Sequence, residues 1–258
     1  MQAGNPFKDA ITARAPQRQI GLWLSMANGI AAEICATAGF DWFLIDGEHA
    51  PNDINTILSQ LQALAAYPVE AVVRPPIGDV TIVKRLLDIG VRTLLVPMVD
   101  SAEQAHELVS MMRYPPQGIR GVGARMARAS GFGARTNYIA TANADMCLLV
   151  QIESVEALDQ IEAIAAVEGV DGMFVGPSDL AASMGHPGNL AHPDVRAAVD
   201  GALRRIRAAG KPTGIVAFAQ TDIQRFIDLD TTFIAVGADA AILADGSRAL
   251  VKQYKDGK

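Results

Sequence analysis

The stretch DWFLIDGEHAPNDINTIL, residues 41–58, contains one complete strand, loop and helix. It begins with a short, continuous apolar run, which is typical of a parallel strand buried on both faces. The run ends in three ionisable residues, Asp46, Glu48 and His49. Asn52 or Asp53 is then suited to cap a helix with apolar residues on one face. Repetition of this unit along the chain decides the fold.

Seven further apolar runs resemble the first, and together they predict eight strands. The runs cover residues 19–24, 41–46, 70–74, 92–97, 146–152, 172–176, 213–217 and 232–237. Helical patterns fill most of the gaps, and Asp79, Ser101 and Ser154 are suited to cap three of these helices. We therefore expect a single (β/α)8 TIM barrel over residues 1–258. A doubly wound open sheet is the alternative, but no strand is followed by the G-x-G-x-x-G turn of a dinucleotide-binding sheet.

Three segments add to the eight repeated units. Residues 6–15 predict a short N-terminal helix that plugs the bottom of the barrel. Residues 114–145 form a long loop between strands four and five, rich in glycine, arginine and small polar residues. Long loops of this kind are often functional lids. Residues 238–251 predict a C-terminal helix.

Composition argues against several classes of protein. The net charge of −6 and the lack of a long basic run argue against a nucleic-acid partner. No apolar run is long enough to span a bilayer, and no signal-peptide pattern opens the chain. Cys35 and Cys147 are both predicted to be buried, without zinc-ligand spacing, which suits the reducing cytoplasm. Four arginines in the long loop could help to hold an acidic substrate: Arg120, Arg125, Arg128 and Arg135.

Two carboxylates at the ends of neighbouring predicted strands suggest a metal site. Glu153 follows strand five and Asp179 follows strand six. In a barrel of this kind the C-terminal strand ends meet at one face, so both side chains could reach one point. Oxygen ligands without cysteine favour a hard cation such as Mg²⁺ or Mn²⁺. The alternative is two solvated loop acids, with Asp179 capping a helix.

Two further strand-end residues have chemistry that suits catalysis. Arg74 ends an apolar strand, and its fork of donors suits a carboxylate or enolate oxygen. It could instead form a structural ion pair with Glu48 or Glu153. His49 lies among acids and is suited to act as a general base near neutral pH, although a structural role is the alternative. Asp46 and Glu48 are expected to support these two residues.

The positions of the lysines and the turn at Gly176 limit the reaction mechanisms that the sequence can support. No lysine falls at a predicted C-terminal strand end, so a Schiff base has no candidate, and carbanion chemistry would need a metal as electron sink. Gly176 and Pro177 would let the backbone approach a ligand, and Ser178 begins a short helix whose free N–H groups attract a carboxylate. Together with a metal on Asp179, this arrangement suits an α-keto acid.

Several motifs, in order, resemble the class II pyruvate aldolases of the 4-hydroxy-2-oxoheptane-1,7-dioate aldolase family. The resemblance runs from roughly residue 7 to residue 254. The motifs that carry it are QIGLWL, DWFLIDGEHAPND, VVRPP, TLLVPMV, YPPQGIRGVG, LVQIES, GVDGMFVGPSDLAASMG and FIAVGADAAILA. The resemblance implies a barrel and reversible aldol cleavage of 4-hydroxy-2-oxo acids to pyruvate and an aldehyde. It also implies hydroxypyruvate as a plausible second donor, and no organic cofactor.

The family's functional residues map onto positions in this chain. The resemblance implies Mg²⁺, Mn²⁺ or Co²⁺ on Glu153 and Asp179, a base at His49, and an enolate-steadying arginine at Arg74. It implies that Asp88, in the helix after strand three, supports the base. The family's pyruvate site maps onto Gln151 and the backbone of Ser178 and Asp179. From the residues themselves we add, as substrate-binding positions, Gly176 and Pro177, and Trp23 and Phe218 at the ends of strands one and seven. It further implies a homo-oligomer, a trimer of dimers, with the last helix packed on a neighbouring subunit.

Two other functions compete with this interpretation. The first is a metal-dependent lyase that acts on citryl- or malyl-CoA-type thioesters, which would share the metal acids and the arginine. We find no basic cluster dedicated to the CoA diphosphate. The second is a barrel that only binds or scaffolds other molecules, but the chain has Glu153, Asp179, Arg74 and His49 in place.

Overall fold

The computed structural model describes residues 4–15 and 17–255, and it confirms the predicted (β/α)8 barrel. Eight parallel strands close on themselves in chain order, and β1 pairs with both β2 and β8. The strands are β1 (Gln19–Leu24), β2 (Trp42–Asp46), β3 (Glu70–Arg74), β4 (Thr93–Val96), β5 (Cys147–Ile152), β6 (Val170–Val175), β7 (Thr213–Val216) and β8 (Phe233–Ala238). Each lies within two residues of its predicted bounds.

Helices surround the barrel and connect its strands. They are α1 (Pro6–Thr12), α2 (Gly29–Ala36), α3 (Ile54–Leu64), α4 (Val80–Asp88), α5 (Ala102–Met112), α6 (Tyr138–Asp145), α7 (Val155–Asp159), α8 (Ile161–Ala165), α9 (Pro177–Ser183), α10 (Pro193–Ala208), α11 (Gln220–Asp228) and α12 (Asp239–Lys255). Four side chains predicted as N-caps occupy those positions, since Asp53, Asp79, Ser101 and Ser154 each accept a backbone N–H in the first turn of their helix.

Alternation along each strand divides the core into two parts. On β2, Trp42 and Leu44 point into the barrel, whereas Phe43 and Ile45 point outward beneath the helices. Helix α1 closes the bottom of the barrel as predicted, because its Phe7 ring packs 5.7 Å from the rings of both Trp42 and Phe233. This plug fills the N-terminal end, so the C-terminal end is the face left for a site.

Three sequence-based expectations need correction. Cys35 is half-buried rather than buried, because it lies on the partly exposed side of α2, whereas Cys147 is fully buried inside the barrel. The connection over residues 114–145 is not only loop: it holds two 3₁₀ turns and helix α6. The helix predicted after Ser154 is two short helices, α7 and α8, which meet at Gln160.

Two surface features bear on partners. Within residues 4–15 and 17–255, no helix is both long and apolar enough to cross a bilayer. Helix α12 exposes five large apolar side chains: Ile242, Leu243, Leu250, Val251 and Tyr254. Their spacing places them along one side of the helix, where this chain alone does not cover them.

Candidate active site

A buried ion pair joins the ends of β2 and β3. Asp46 and Arg74 are register partners, and both are almost fully buried. The guanidinium of Arg74 donates through Nε to Asp46 Oδ1 at 2.9 Å and through Nη2 to Asp46 Oδ2 at 2.8 Å. Although burial opposes it, the hydrogen bonds and charge of Arg74 lower the pKa of Asp46. This two-point contact fixes the plane of the guanidinium.

Asp46 also holds the loop that follows β2. Its Oδ1 accepts the backbone N–H of Glu48 at 3.0 Å and that of His49 at 3.4 Å. Its Oδ2 accepts the indole N–H of Trp23 at 3.1 Å, and the Trp23 ring lies 5.0 Å from the guanidinium carbon of Arg74. Asp46 and Trp23 therefore both contact the guanidinium of Arg74 and orient it, which is the supporting role expected for Asp46.

Arg74 also forms an ion pair with Glu48. The Oε2 atom of Glu48 lies 2.8 Å from Arg74 Nη1 and 3.8 Å from His49 Nε2. Arg74 thus forms the ion pair with Glu48 that was one alternative for it, and a second pair with Asp46, the other acid expected to support it. His49 stands at the rim, with 63% of its side chain exposed.

On the other side of the site, Glu153 is buried and tightly held. Its Oε1 accepts the backbone N–H of Met98 at 2.8 Å, and its Oε2 accepts the side-chain amide of Gln151. The opposite amide oxygen of Gln151 is buried and has no hydrogen-bond partner among the described residues. Met98 adopts a left-handed backbone, with φ of 54°. This conformation directs its N–H toward the carboxylate.

Three carboxylates share this space. Burial raises the pKa of Glu153 to about 7, and the charges of Asp179 and Glu48 contribute to the rise. Burial also raises the pKa of Glu48, with contributions from Asp46 and Asp179 and opposition from Arg74 and His49. The negative charges of these acids therefore oppose one another at this end of the barrel. A cluster of this kind is poorly compensated by protein alone and suits a bound cation.

Close approach at the end of β6 explains the glycine there. A Cβ on Gly176 would collide with the carboxylate of Glu153 and would lie 2.9 Å from the amide nitrogen of Gln151. Helix α9 begins at the next residue, Pro177, and Ser178 and Asp179 are exposed in its first turn. The backbone at Gly176 therefore lies against Glu153 and Gln151, and Asp179 follows in the first turn of α9 at the same end of the barrel.

Of two further predicted site residues, one lies on this barrel face and the other does not. Phe218 follows β7 and is 64% exposed, at the rim of the same barrel face. Asp88 is the last residue of α4, which starts near the C-terminal end of β3 and runs back for nine residues, roughly 13 Å. Asp88 consequently lies at the opposite end of the barrel from His49, and its carboxylate pairs with Arg120 at 3.3 Å.

The four arginines of the 114–145 segment do not form a substrate patch, contrary to the sequence-based expectation. Arg120 is wholly buried, Arg128 donates to the carbonyl of Ile89, and Arg135 pairs with Asp145, because this segment packs beside the N-terminal end of the barrel. Only Arg125 of the four is exposed. The residue that sequence patterns missed is Met98, whose role depends on its backbone and leaves no side-chain signal.

One other cluster of potential ligands lies outside the site, after α9. The rings of His186 and His192 stack with centroids 3.6 Å apart and planes inclined by 17°, beside Asp194. Imidazole binds metals through lone pairs in the ring plane, so two parallel rings do not point at one ion. His192 Nδ1 instead caps α10 by accepting the N–H of Asp194.

Comparison with known proteins identifies the family. The model of the HpcH/HpaI aldolase/citrate lyase family matches residues 19–245, which covers most of the chain and every strand of the barrel. The chain belongs to the HpcH/HpaI aldolase/citrate lyase family. This agrees with the resemblance drawn from the sequence motifs.

Named relatives narrow the activity to an aldolase/lyase. The chain is 57% identical over 256 residues to a hydroxypyruvate/pyruvate aldolase of Cupriavidus necator, covering 99% of this chain and 94% of that protein. It is 51% identical over 250 residues to a 4-hydroxy-2-oxo-heptane-1,7-dioate aldolase of Salmonella heidelberg, covering 97% and 94%. The enzyme is therefore an aldolase/lyase of the HpcH/HpaI family.

A solved structure gives the same fold. An HpcH/HpaI aldolase/citrate lyase family protein from Burkholderia cenocepacia J2315 superposes with a TM-score of 0.93 at 42% sequence identity, covering 96% of this chain and 98% of that one. The family barrel thus extends over nearly the whole chain.

Proposed function

We propose that this enzyme catalyses reversible aldol cleavage of 4-hydroxy-2-oxo acids to pyruvate, or hydroxypyruvate, and an aldehyde, with the help of a divalent cation. The observation that carries the proposal is the buried Glu153 at the end of β5, on the barrel face where Asp179 begins α9 and the Arg74 pair ends β3. Pyruvate and hydroxypyruvate are proposed as the 2-oxo acid products because relatives named for each class of aldolase are similar to this chain over nearly its whole length.

The donor set fits a hard divalent cation. Glu153 and Asp179 would hold it, and the unpartnered amide oxygen of Gln151 lies beside them. Carboxylate and amide oxygens without sulfur suit Mg²⁺, Mn²⁺ or Co²⁺. When bound, such an ion supplies Lewis-acid polarisation of the 2-oxo acid. Relief of the mutual repulsion between Glu153, Asp179 and Glu48 would favour its binding.

Arg74 is positioned to stabilise negative charge as it develops on the substrate. Asp46 orients the guanidinium through two hydrogen bonds, and Trp23 packs near its guanidinium carbon. Preorganised donors of this kind stabilise a transition state without reorganising during the reaction. We assign Asp46 and Glu48 to holding Arg74 and shaping the loop that carries His49.

His49, or a water that it orients, accepts the proton of the C4 hydroxyl. Its exposure at the rim lets it reach a substrate that enters from solvent, and the nearby Glu48 orients the ring. Loss of that proton drives cleavage of the C3–C4 bond. The aldehyde leaves past Phe218 at the rim, while the backbone of Gly176 through Asp179 holds the 2-oxo acid. Protonation at C3 then releases pyruvate.

The supporting aspartate must come from another subunit if Asp88 serves the base. Within one chain Asp88 and His49 lie at opposite ends of the barrel, so a single chain cannot join them. A homo-oligomer can, when the N-terminal end of one barrel meets the rim of the next. We therefore propose that Asp88 of one subunit supports His49 of another.

A trimer of dimers is the assembly that we propose. The apolar face of α12 lies next to α2, whose Ile30 and Ile34 are also exposed. A joined apolar surface of this kind on one chain is typical of an interface between subunits. The partner that covers it is a second copy of this chain, with α12 packed on the neighbour.

The alternative function is cleavage of citryl- or malyl-CoA-type thioesters. Three arginines of the 114–145 segment, Arg120, Arg128 and Arg135, form contacts away from the site and are not placed to bind a CoA diphosphate there. Small free oxo acids therefore fit better.

An assay of pyruvate release separates the two functions. The purified enzyme with Mg²⁺, Mn²⁺ or Co²⁺ is given a free 4-hydroxy-2-oxo acid or a malyl-CoA ester, and acceptors are screened in the reverse direction with pyruvate and hydroxypyruvate. We expect turnover of the free acid only. Turnover of the thioester alone would overturn the proposal in favour of the lyase.

A further inference from the structure

The buried guanidinium group of Arg120 lies next to the carboxylate of Asp88. The side chain of Arg120 has no exposed surface, and its guanidinium carbon lies 4.4 Å from the ring centre of Tyr114 and 5.7 Å from that of Tyr138. Its Nη2 donates to the Tyr138 hydroxyl at 3.1 Å and to Asp88 Oδ1 at 3.3 Å, and its Nη1 contacts the sulfur of Met146. Arg120 is thus enclosed by two aromatic rings, and Asp88 supplies its carboxylate contact.

The backbone around Arg120 is equally fixed. The Arg120 N–H donates to the carbonyl of Arg113 at 2.9 Å, and the N–H of Ile119 donates to that of Ser110 at 2.8 Å, so this segment is attached to the end of α5. Both the guanidinium and the backbone of Arg120 are therefore held by contacts. A guanidinium held in this way determines where its carboxylate partner lies.

Among the residues that the structure describes, Asp88 is contacted at only one of its two oxygens. Oδ1 accepts from Arg120, whereas Oδ2 faces Gly123, where an added Cβ would still lie 3.9 Å away. The side chain of Asp88 is 30% exposed. One oxygen is therefore anchored to a fixed cation, and the other is open toward the surface, where a residue of another molecule can reach it.

We propose that Arg120 is a positioning residue for the reaction: it holds the Asp88 carboxylate so that the free oxygen accepts the Nδ1–H or Nε2–H of His49 from a neighbouring subunit. This rests on the proposed function, in which Asp88 supports that base. Arg120 touches neither substrate nor metal and acts only through Asp88. A lysine cannot replace it, since an ammonium lacks the planar fork that packs between the two rings.

Replacing either Arg120 or Asp88 should therefore change the behaviour of the base, His49, in the same way. A carboxylate beside an imidazole favours its protonated form and raises its pKa. Misplacing Asp88 removes that help, so the acidic limb of the pH profile should move to lower pH. The rate should fall as well, because a weaker base removes the C4 hydroxyl proton less well. Substrate binding should change little, since Arg120 lies at the far end of its own barrel.

The test compares Arg120→Lys, Asp88→Asn and the double variant in the metal-loaded enzyme, using kcat, KM and pH profiles of pyruvate release. We expect each single variant to lower kcat about tenfold or more, the range over which oriented supporting groups act, with KM within about twofold. Both should shift the acidic limb in the same direction. In the Asp88→Asn background, Arg120→Lys should have no further effect on kcat.

A second variant guards against a general loss of structure. Arg125→Lys makes the same substitution at the exposed arginine of the same segment and leaves the Arg120–Asp88 contact in place, so its pH profile should match that of the wild type. Thermal melting and sedimentation confirm that each variant folds and assembles.

Three outcomes would overturn the inference, and they differ in meaning. A normal profile for Arg120→Lys beside a shifted one for Asp88→Asn means that Arg120 does not position Asp88. An equal loss for Arg120→Lys in both backgrounds means that Arg120 acts through packing alone. A normal profile for Asp88→Asn removes the role of Asp88 from the proposed function itself, while pyruvate release with wild-type enzyme leaves the aldolase proposal standing.

Discussion

Glu153 shows how much a single residue's chemistry depends on neighbours that the sequence does not place. Its position after an apolar strand is enough to mark it, with Asp179, as a candidate ligand. Its burial, the N–H of Met98 and the amide of Gln151 become visible only in the folded barrel. The left-handed backbone of Met98 could not be predicted, because methionine seldom adopts it.

The raised pKa of Glu153 makes metal-free stability depend on pH. The group has an ordinary value of 4.5 and a folded value of about 7, so its favourable contribution is present below about 4.5 and is lost as the pH rises through about 7. Glu153→Gln removes this dependence. In chelated protein, we expect the variant's advantage in unfolding free energy to grow by about 2 kcal/mol between pH 5.5 and pH 8.

Urea denaturation of both proteins at the two pH values measures this change. An advantage that is the same at pH 5.5 and pH 8 would show that Glu153 titrates near its ordinary value when the metal is absent.

Gly176 tests the close packing around the same carboxylate. In Gly176→Ala the new methyl group would displace Glu153 and Gln151, so we expect weaker cation binding and at least a tenfold loss of kcat. Gly201→Ala in α10 is the matched control, because open space surrounds that position and alanine favours a helix. Calorimetric titration with Mn²⁺ and steady-state assays measure both. Equal behaviour of the two variants would contradict the packing argument.

At the scale of elements, periodicity predicts the strands well and the irregular helices poorly. Each strand is a short apolar run between polar ends, because parallel strands in a barrel are buried on both faces. Helix α6 was missed because YIATANAD has neither a clear apolar stripe nor an N-cap side-chain contact. The break between α7 and α8 was also missed, because Leu158, Ile161 and Ile164 keep a helical spacing across it.

Helix α12 provides a prediction about assembly. Leu250 is 59% exposed in the single chain and lies in the apolar row, so Leu250→Glu should place a charge in the proposed interface and shift the enzyme toward smaller species. Lys252→Gln, elsewhere on the same helix, should leave the assembly unchanged. Sedimentation velocity across a dilution series measures both variants. An unchanged distribution for Leu250→Glu would show that this face of α12 is not an interface.

At the scale of the molecule, the sequence shows which residues are present but not which subunit supplies them. The family resemblance places Asp88 beside His49, and the single barrel separates them. The implied contact and the separation within one barrel agree only if each active site contains residues from two subunits. No pattern along one chain could reveal this, since the contact would join two copies.

Mixing two variants with impaired activity tests the sharing of sites. Chains carrying His49→Ala and chains carrying Asp88→Asn are unfolded together and reassembled at equal amounts. Where an Asp88→Asn chain supplies His49 and a His49→Ala chain supplies Asp88, the site is intact. Random assembly makes about one quarter of the sites of this kind, whatever the size of a closed ring. We expect activity to rise toward that fraction, whereas no rise above the unmixed variants would show that His49 and Asp88 of different subunits do not form a site together.

The central claim, a cation-assisted aldolase centred on Glu153 and Asp179, is tested most directly by removing and restoring the metal. Pyruvate release from a 4-hydroxy-2-oxo acid is measured after exhaustive chelation and again after adding Mg²⁺, Mn²⁺ or Co²⁺, in the wild type and in Glu153→Gln. The wild type should lose activity on chelation and regain it with at least one of the ions, and Glu153→Gln should remain far below it throughout. Full cleavage activity in the chelated wild-type enzyme would contradict the claim.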